Sequence, residues 1–349
     1  MEKTLKICMA GFGNLGKRFA QLLLEKEEYL LEEYGCRFCI TGISTRTRGT
    51  LVDPDGIDVG NALDMIAQTG RFSPDSRGYT EGGTVEMIKN CGADIFIELS
   101  TLSVADGQPA ADYIRLALEK GMHVITANKG PEVWHYKELK QLADEKGLMY
   151  LYETTVMGGA PLFSLMRECL HGNRLLGFKG ILNGTSNYVL CSMEKGNSYS
   201  QAIKEAQQIG IAEADPSIDM GGFDGAVKLC ALANIFMGCS FTPDNIEITS
   251  LENITAEEIA AARSEGFKIK YICQAMPDEK TGRITAKISP EKLPVSDLLC
   301  NVESNSLAIT LYTDLAGELT LVSSGAEMLQ IVFGIYSDLL TLLKHLRNS

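Results

Sequence analysis

Short apolar runs bounded by turn residues recur along the first part of the chain, and between them apolar residues return every three or four positions. Leu5–Ala10, Phe38–Ile43, Ala93–Leu99 and His123–Thr126 predict buried strands. Lys17–Glu33, Asp112–Lys120 and Pro131–Lys146 have the spacing of amphipathic helices. Strands alternating with helices predict a doubly wound, mostly parallel sheet, an α/β fold. Gly49–Thr84, rich in Gly, Asp and Ser with weak periodicity, is expected to hold a mobile flap. Farther on the pattern changes. Strands over Lys268–Ala275, Arg283–Ile288 and Ser306–Thr313, separated by polar turns, predict an α+β domain with a mixed sheet. A last helix over Met328–Leu346 is expected to pack back on the first domain. The expected division is a first domain over 1–135, completed by about 322–349, and a second over 136–321.

Length and charge narrow the function classes. A chain of 349 residues exceeds the usual single core, so two domains agree with the pattern. A formal charge of −13 argues against a nucleic-acid groove or an anionic membrane surface as partner. It leaves room for an anionic ligand in a local pocket of amides and arginines. The longest apolar stretch, Leu229–Phe241, is interrupted by Asn234 and Gly238 and is too short to span a bilayer. Ile7–Ala10 runs at once into glycines, so no signal peptide is expected, and the protein is expected in the cytoplasm. The ten cysteines then read as reduced thiols. Cys36 and Cys39 form a single C-x-x-C without the second pair that a tetrahedral metal site needs. The four histidines show no ligand spacing.

Gly11-Phe12-Gly13-Asn14-Leu15-Gly16 follows a strand and opens a helix, the context that turns a glycine pattern into a dinucleotide fingerprint. Gly11 permits the turn, Gly13 lets backbone approach a pyrophosphate, and Gly16 lets helix pack on strand. The first domain is therefore read as Rossmann-type and dinucleotide-binding. The second strand ends in Ser44-Thr45-Arg46-Thr47-Arg48, where an NAD site usually places an acid. Arg46 suits a 2′-phosphate, so NADP is favoured; loop cations on an acidic protein, with NAD bound, remain the other reading. Ser100-Thr101 and Ala127-Asn128-Lys129-Gly130 follow later strands and should face the cofactor, which places Lys129 near the nicotinamide.

The segment Gly210–Lys228 packs acids into a loop that runs straight into an apolar helix. Asp224 and Lys228 stand four apart on one helix face. On a solvated helix such a pair contributes only a few tenths of a kcal/mol. Partly buried, it becomes a candidate proton-transfer site, because burial lowers a lysine pKa and the acid orients it. Spacing alone leaves both readings open.

Taken in order, these motifs resemble those of homoserine dehydrogenases. The resemblance covers about Leu5–Gly238: the glycine loop, Asn128-Lys129, Glu153…Val156…Gly158-Gly159…Pro161, Asn183-Gly184-Thr185-Ser186-Asn187-Tyr188, and Gly210 to Lys228 with Glu213, Asp215, Asp219 and Asp224. It implies hydride transfer between a nicotinamide cofactor and homoserine, an amino-acid substrate, in a homodimer or higher oligomer. Lys228 with Asp224 is implied to handle the hydroxyl proton, with Lys129 as the second catalytic lysine. Glu213 and Asp219 are implied to hold the substrate's ammonium, and Asn183, Gly184 and Thr185 to floor the pocket. Glu153, with carbonyls near Val156 and Gly158, resembles the family's position for a structural monovalent cation such as Na+. Two departures stand out. Ser323–Ile331 replaces the family's small residues with bulkier ones, and with the sequence ending at Ser349 no regulatory module or fused kinase is expected. Two alternatives remain: a relative acting on another amino alcohol, or a slow protein that retains NADP.

Overall fold

The computed structural model describes residues 3–103, 105–325 and 327–348, and the chain divides into two compact units. The first comprises 1–159 and 328–349, the second 160–327.

The sheet of the first unit is built from β1 (Lys3–Ala10), β2 (Cys36–Ser44), β3 (Thr50–Val52), β4 (Tyr79–Thr80), β5 (Ile95–Glu98), β6 (His123–Thr126) and β7 (Tyr150–Leu151). Their order is β4-β3-β2-β1-β5-β6-β7. The five strands from β2 to β7 run parallel, while β3 and β4 add antiparallel at the β2 edge. Alternation along the strands feeds two cores. Leu5, Ile7, Met9, Ile95, Ile97 and Ile125 face one layer of helices, while Cys8, Ala10, Phe96 and Val124 face the other. This is the doubly wound α/β sheet expected from the pattern.

The helix expected over Lys17–Glu33 is two, Asn14–Glu25 and Glu27–Tyr34, broken at Lys26. The helix expected over Pro131–Lys146 is likewise split at His135, into Lys129–Trp134 and Tyr136–Glu145. Gly49–Thr84 is more structured than its composition suggested. It carries β3, β4 and the helix Val59–Thr69, and it sends Leu51, Val59, Ala62, Ile66 and Phe72 into the core. The C-terminal helix, Met328–Asn348, buries Val332, Ile335, Leu339, Leu342 and Leu343 in the same core. At about 2 kcal/mol for each buried aliphatic side chain, that face contributes on the order of 10 kcal/mol before the entropy of ordering.

The second unit holds β8 (Leu175–Ile181), β9 (Glu247–Ile248), β10 (Phe267–Pro277), β11 (Ile284–Pro294), β12 (Leu307–Thr313) and β13 (Glu318–Ser323). They form one sheet in the order β13-β12-β8-β10-β11-β9, antiparallel except for the parallel β11–β9 pair. The mixed sheet matches the second domain type expected. Helices Gly184–Glu194, Phe223–Met237 and Ala256–Ser264 pack on β10. Within the atypical Ser323–Ile331 stretch, Ser323 ends β13 and Met328 opens the C-terminal helix, while Ala326 lies outside the described residues.

Candidate active site

In the first unit the strand ends are level with one another. Ala10 pairs with Ser44 and with Glu98, and Glu98 pairs with Thr126, so the loops after β1, β2, β5 and β6 leave the sheet at one edge. Gly11 has φ +103°, and a Cβ there would lie 2.2 Å from Leu99 O. Gly16 is as constrained, its would-be Cβ being 2.4 Å from Gly11 O. Gly13 is different: nothing lies within 4 Å of its would-be Cβ, and it caps the helix Asn14–Glu25 without any side-chain bond. Phe12 turns into the core, whereas Asn14 is exposed and Leu15 half-buried. The helix start is thus an open cradle of backbone N–H groups whose dipole favours an anion. A dinucleotide pyrophosphate fits these residues.

Around this loop, Arg46 is exposed in the turn between β2 and β3. That turn is fixed by Thr45, whose Oγ1 donates to Gly49 O (2.9 Å) and accepts from Arg48 N–H (2.8 Å). Thr101 is exposed and Ser100 half-buried after β5. Lys129 is half-buried at the start of its helix, which Asn128 caps by accepting from Gly130 N–H at 3.1 Å. Glu132 in this helix is buried and accepts from Tyr150 OH at 2.6 Å; burial pushes its carboxyl up to about 8. Glu153 is also buried, with its N–H donating to Asp338 Oδ2 at 2.8 Å. Val156 is buried just after the same turn, and Met157 and Gly158 follow with φ +63° and +62°. No group of three or more His, Cys, Asp or Glu side chains among the described residues is arranged to hold a metal ion.

The second unit collects side chains. Asn183 caps the helix Gly184–Glu194 by accepting from Ser186 N–H at 2.8 Å. Its Nδ2 donates to Asp219 Oδ1 at 2.7 Å and to Asp224 Oδ2 at 3.0 Å. Lys228 Nζ lies 2.7 Å from the same Asp224 oxygen and 2.7 Å from Leu182 O. The Lys228 and Asp224 side chains are 15% and 19% exposed, so the pair is the partly buried one rather than a solvated helix-surface pair. Gly222 makes the approach possible: a Cβ there would come 2.3 Å from Tyr271 Oη, and its φ is +87°. Beneath the helix start lies Cys273. Burial pushes its thiol up to about 12 against the opposing pull of Lys228, so it is a neutral packing group.

Gly184 lies against the chain at Asn305, whose carbonyl would be 2.7 Å from an added Cβ, and Thr185 Oγ1 donates to Ile211 O at 3.2 Å. Glu213 stands apart from this network: its side chain is exposed, and its backbone carbonyl accepts from Gln207 Nε2 at 3.1 Å.

Glu132 and Asp338 were not singled out from the sequence, and two further buried polar nodes also escaped it. Lys270, fully buried in β10, donates to Val302 O at 2.9 Å and to Asn187 Oδ1 at 3.3 Å. Asn187 Nδ2 donates to the carbonyls of Val302, Ser304 and Ser306, so together they pin the turn against which Gly184 rests. The other is Glu98, fully buried at the end of β5. In both cases the available signal was a charged residue among the apolar positions of a strand.

Known proteins of one family resemble this chain in sequence and in fold. The family model described as homoserine dehydrogenase matches residues 161–340. A homoserine dehydrogenase of Methanocaldococcus jannaschii is 35% identical over 346 residues, 99% of either chain. An NAD(+)-dependent homoserine dehydrogenase of Pseudomonas canavaninivorans is 33% identical over 335 residues, 96% of this chain and 95% of its own. Among solved structures, a provisionally assigned homoserine dehydrogenase of Archaeoglobus fulgidus superposes with TM-score 0.86 at 31% identity, covering 97% of this chain and 99% of its own.

Proposed function

We propose that this chain, which belongs to the homoserine dehydrogenase family, interconverts L-homoserine and L-aspartate 4-semialdehyde. As a member of that family it is a nicotinamide-dependent oxidoreductase acting on a CH–OH group. The observation that carries the proposal is the Lys228–Asp224–Asn183–Asp219 network, a lysine and two carboxylates tied together by one amide.

In the oxidative direction the substrate's hydroxyl must lose a proton as its carbon loses a hydride. Lys228 would take that proton, since Leu182 O and Asp224 hold its amine in one place. Asp224 orients the lysine and balances its charge. Asp219, with Glu213 on the neighbouring loop, would receive the ammonium, and Asn183, Gly184 and Thr185 would form the floor beneath it. Lys129 would be the second lysine of the reaction. In the first unit, Gly11 to Gly16 would hold the dinucleotide, with Ser100 and Thr101 on the adjoining strand-end loop. The nicotinamide, when bound, accepts or returns the hydride.

Arg46, exposed at the end of β2 and free of any acid in its turn, supports a preference for NADP, although the Pseudomonas relative is by name NAD(+)-dependent. Glu153, with carbonyls turned by the left-handed Met157 and Gly158, would suit a monovalent cation such as Na+, because such ions take hard oxygen ligands. The edge strand β13, with Val322 exposed, supports pairing into a homodimer.

The test is nicotinamide absorbance at saturating L-homoserine, with NAD and NADP offered in parallel. Turnover with either cofactor is expected, faster or tighter with NADP. A folded protein that turns over neither would sink the substrate assignment.

A further inference from the structure

Glu98 has no exposed surface, and a carboxyl in that position must use its oxygens or destabilise the sheet. It occupies the last position of β5, level with Ala10 and Thr126 at the ends of β1 and β6. Its Oε1 accepts from Ser100 N–H at 2.8 Å, and its Oε2 accepts from Thr126 Oγ1 at 3.4 Å. Thr126 Oγ1 accepts in turn from Asn128 N–H at 3.0 Å, and Asn128 Nδ2 reaches back to Ser100 O at 3.5 Å. The Leu99–Ser100 peptide is also the surface that Gly11 meets, since a Cβ there would lie 2.2 Å from Leu99 O and 3.1 Å from Ser100 N. One buried carboxyl thus braces the loops that leave β1, β5 and β6. Burial raises its pKa, and donors on Ser100, Asn128 and Thr126 oppose the rise.

Sheet stability alone does not call for this arrangement. Asp94, just before β5 at the opposite edge, makes the same kind of bond from Lys6 N–H at 2.7 Å while staying exposed. That bond ties strand to strand without burying a charge. Glu98 instead spends a buried carboxyl on the loops that carry Ser100, Asn128 and the turn at Gly11.

We propose that Glu98 is a positioning residue for the dinucleotide: through Ser100, Thr126 and Asn128 it fixes the cofactor-facing edge before the cofactor arrives. The inference rests on the dinucleotide reading given above. Glu98 itself would touch neither cofactor nor substrate, being buried beneath the loops it braces.

The experiment compares NADPH and NADH dissociation constants, by fluorescence titration, with melting temperatures and Michaelis constants. The variants are Glu98→Ala, Glu98→Gln, Thr126→Val and Asp94→Asn. Glu98→Ala should weaken cofactor binding about tenfold or more, and Thr126→Val about threefold, because small displacements of a positioned group are expensive. Glu98→Gln keeps an acceptor for Ser100 N–H and should recover most of the affinity. The Michaelis constant for homoserine should stay within about twofold, the loss being confined to the cofactor. Asp94→Asn should lower the melting temperature and leave both dissociation constants alone. Wild-type affinity in Glu98→Ala would overturn the proposal; if that variant does not fold, wild-type affinity in Thr126→Val would do the same. Equal weakening in Asp94→Asn would reduce Glu98 to a structural residue. A wild-type protein that binds neither dinucleotide would overturn the functional reading itself, before any variant is made.

Discussion

At the edge of the first sheet, the groups offered to a ligand are mostly backbone: amides at a helix start, a turn at Gly11 and loops braced from below. In the second unit they are side chains, with Asn183, Asp219, Asp224 and Lys228 converging from three separate elements. Backbone donors stay in place when most side chains change, provided the glycines remain. A side-chain network depends on every member, because two carboxylates held by one amide lose their arrangement when the amide is removed. Substitutions should therefore act steeply and locally in the second unit, and mildly or selectively in the first.

The largest effect tests the network's reactive member. Lys228→Ala should cut turnover by about two to four decades with the Michaelis constant for homoserine largely kept, as for loss of a general acid–base. Near-normal turnover would remove Lys228 from the chemistry. Next is Asn183→Ser, which keeps a good helix cap but loses the amide that joins Asp219 to Asp224. Steady-state kinetics should show kcat/KM lower by about ten- to a hundredfold while the melting temperature barely moves. A stability loss with unchanged kinetics would mean that the amide matters only to the fold.

In the first unit, Arg46→Ala should weaken NADP binding by about tenfold, roughly the worth of one charge-assisted bond, and leave NAD binding unchanged. Titration showing equal losses with both cofactors would refute the 2′-phosphate role. The smallest effect concerns the support under Lys129. Glu132 has its folded-state pKa raised from 4.5 to about 8, chiefly by burial. Between those values the folded protein holds a proton that the unfolded chain releases. The stability it contributes is therefore full below 4.5 and declines as pH rises toward about 8. Glu132→Gln should flatten that decline, raising the melting temperature by a few degrees at mildly alkaline pH and changing little in acid. Parallel melting curves against pH for the two proteins would show that Glu132 is not the group responsible.

Much of the fold was legible because its signals are local. His123–Thr126 is the strand expected, and β1, β2 and β5 each overlap their apolar run. Helix continuity was harder to read. Periodicity runs unbroken through Lys26, yet the chain turns there, at φ −107° and ψ 8°, and starts a second helix. The ordered elements of Gly49–Thr84 were also hidden, because β3 and β4 are too short to show a period and are formed by pairing, β3 with β2 and β4 with β3.

The sequence by itself determined the glycine cradle, the alternation of the principal strands β1, β2, β5 and β6 with helices, and the Asp224–Lys228 spacing, all of which depend on near neighbours along the chain. Tertiary structure decided the rest. It made Asn183 the bridge to two acids 36 and 41 residues away, and it put Thr126 against Glu98 across 28 residues. It also separated Lys270, buried against Val302 O and Asn187 Oδ1, from the lysines left at the surface. Which polar residue is desolvated, and by whom it is satisfied, depends on what packs around it, and that is set by contacts far apart in sequence.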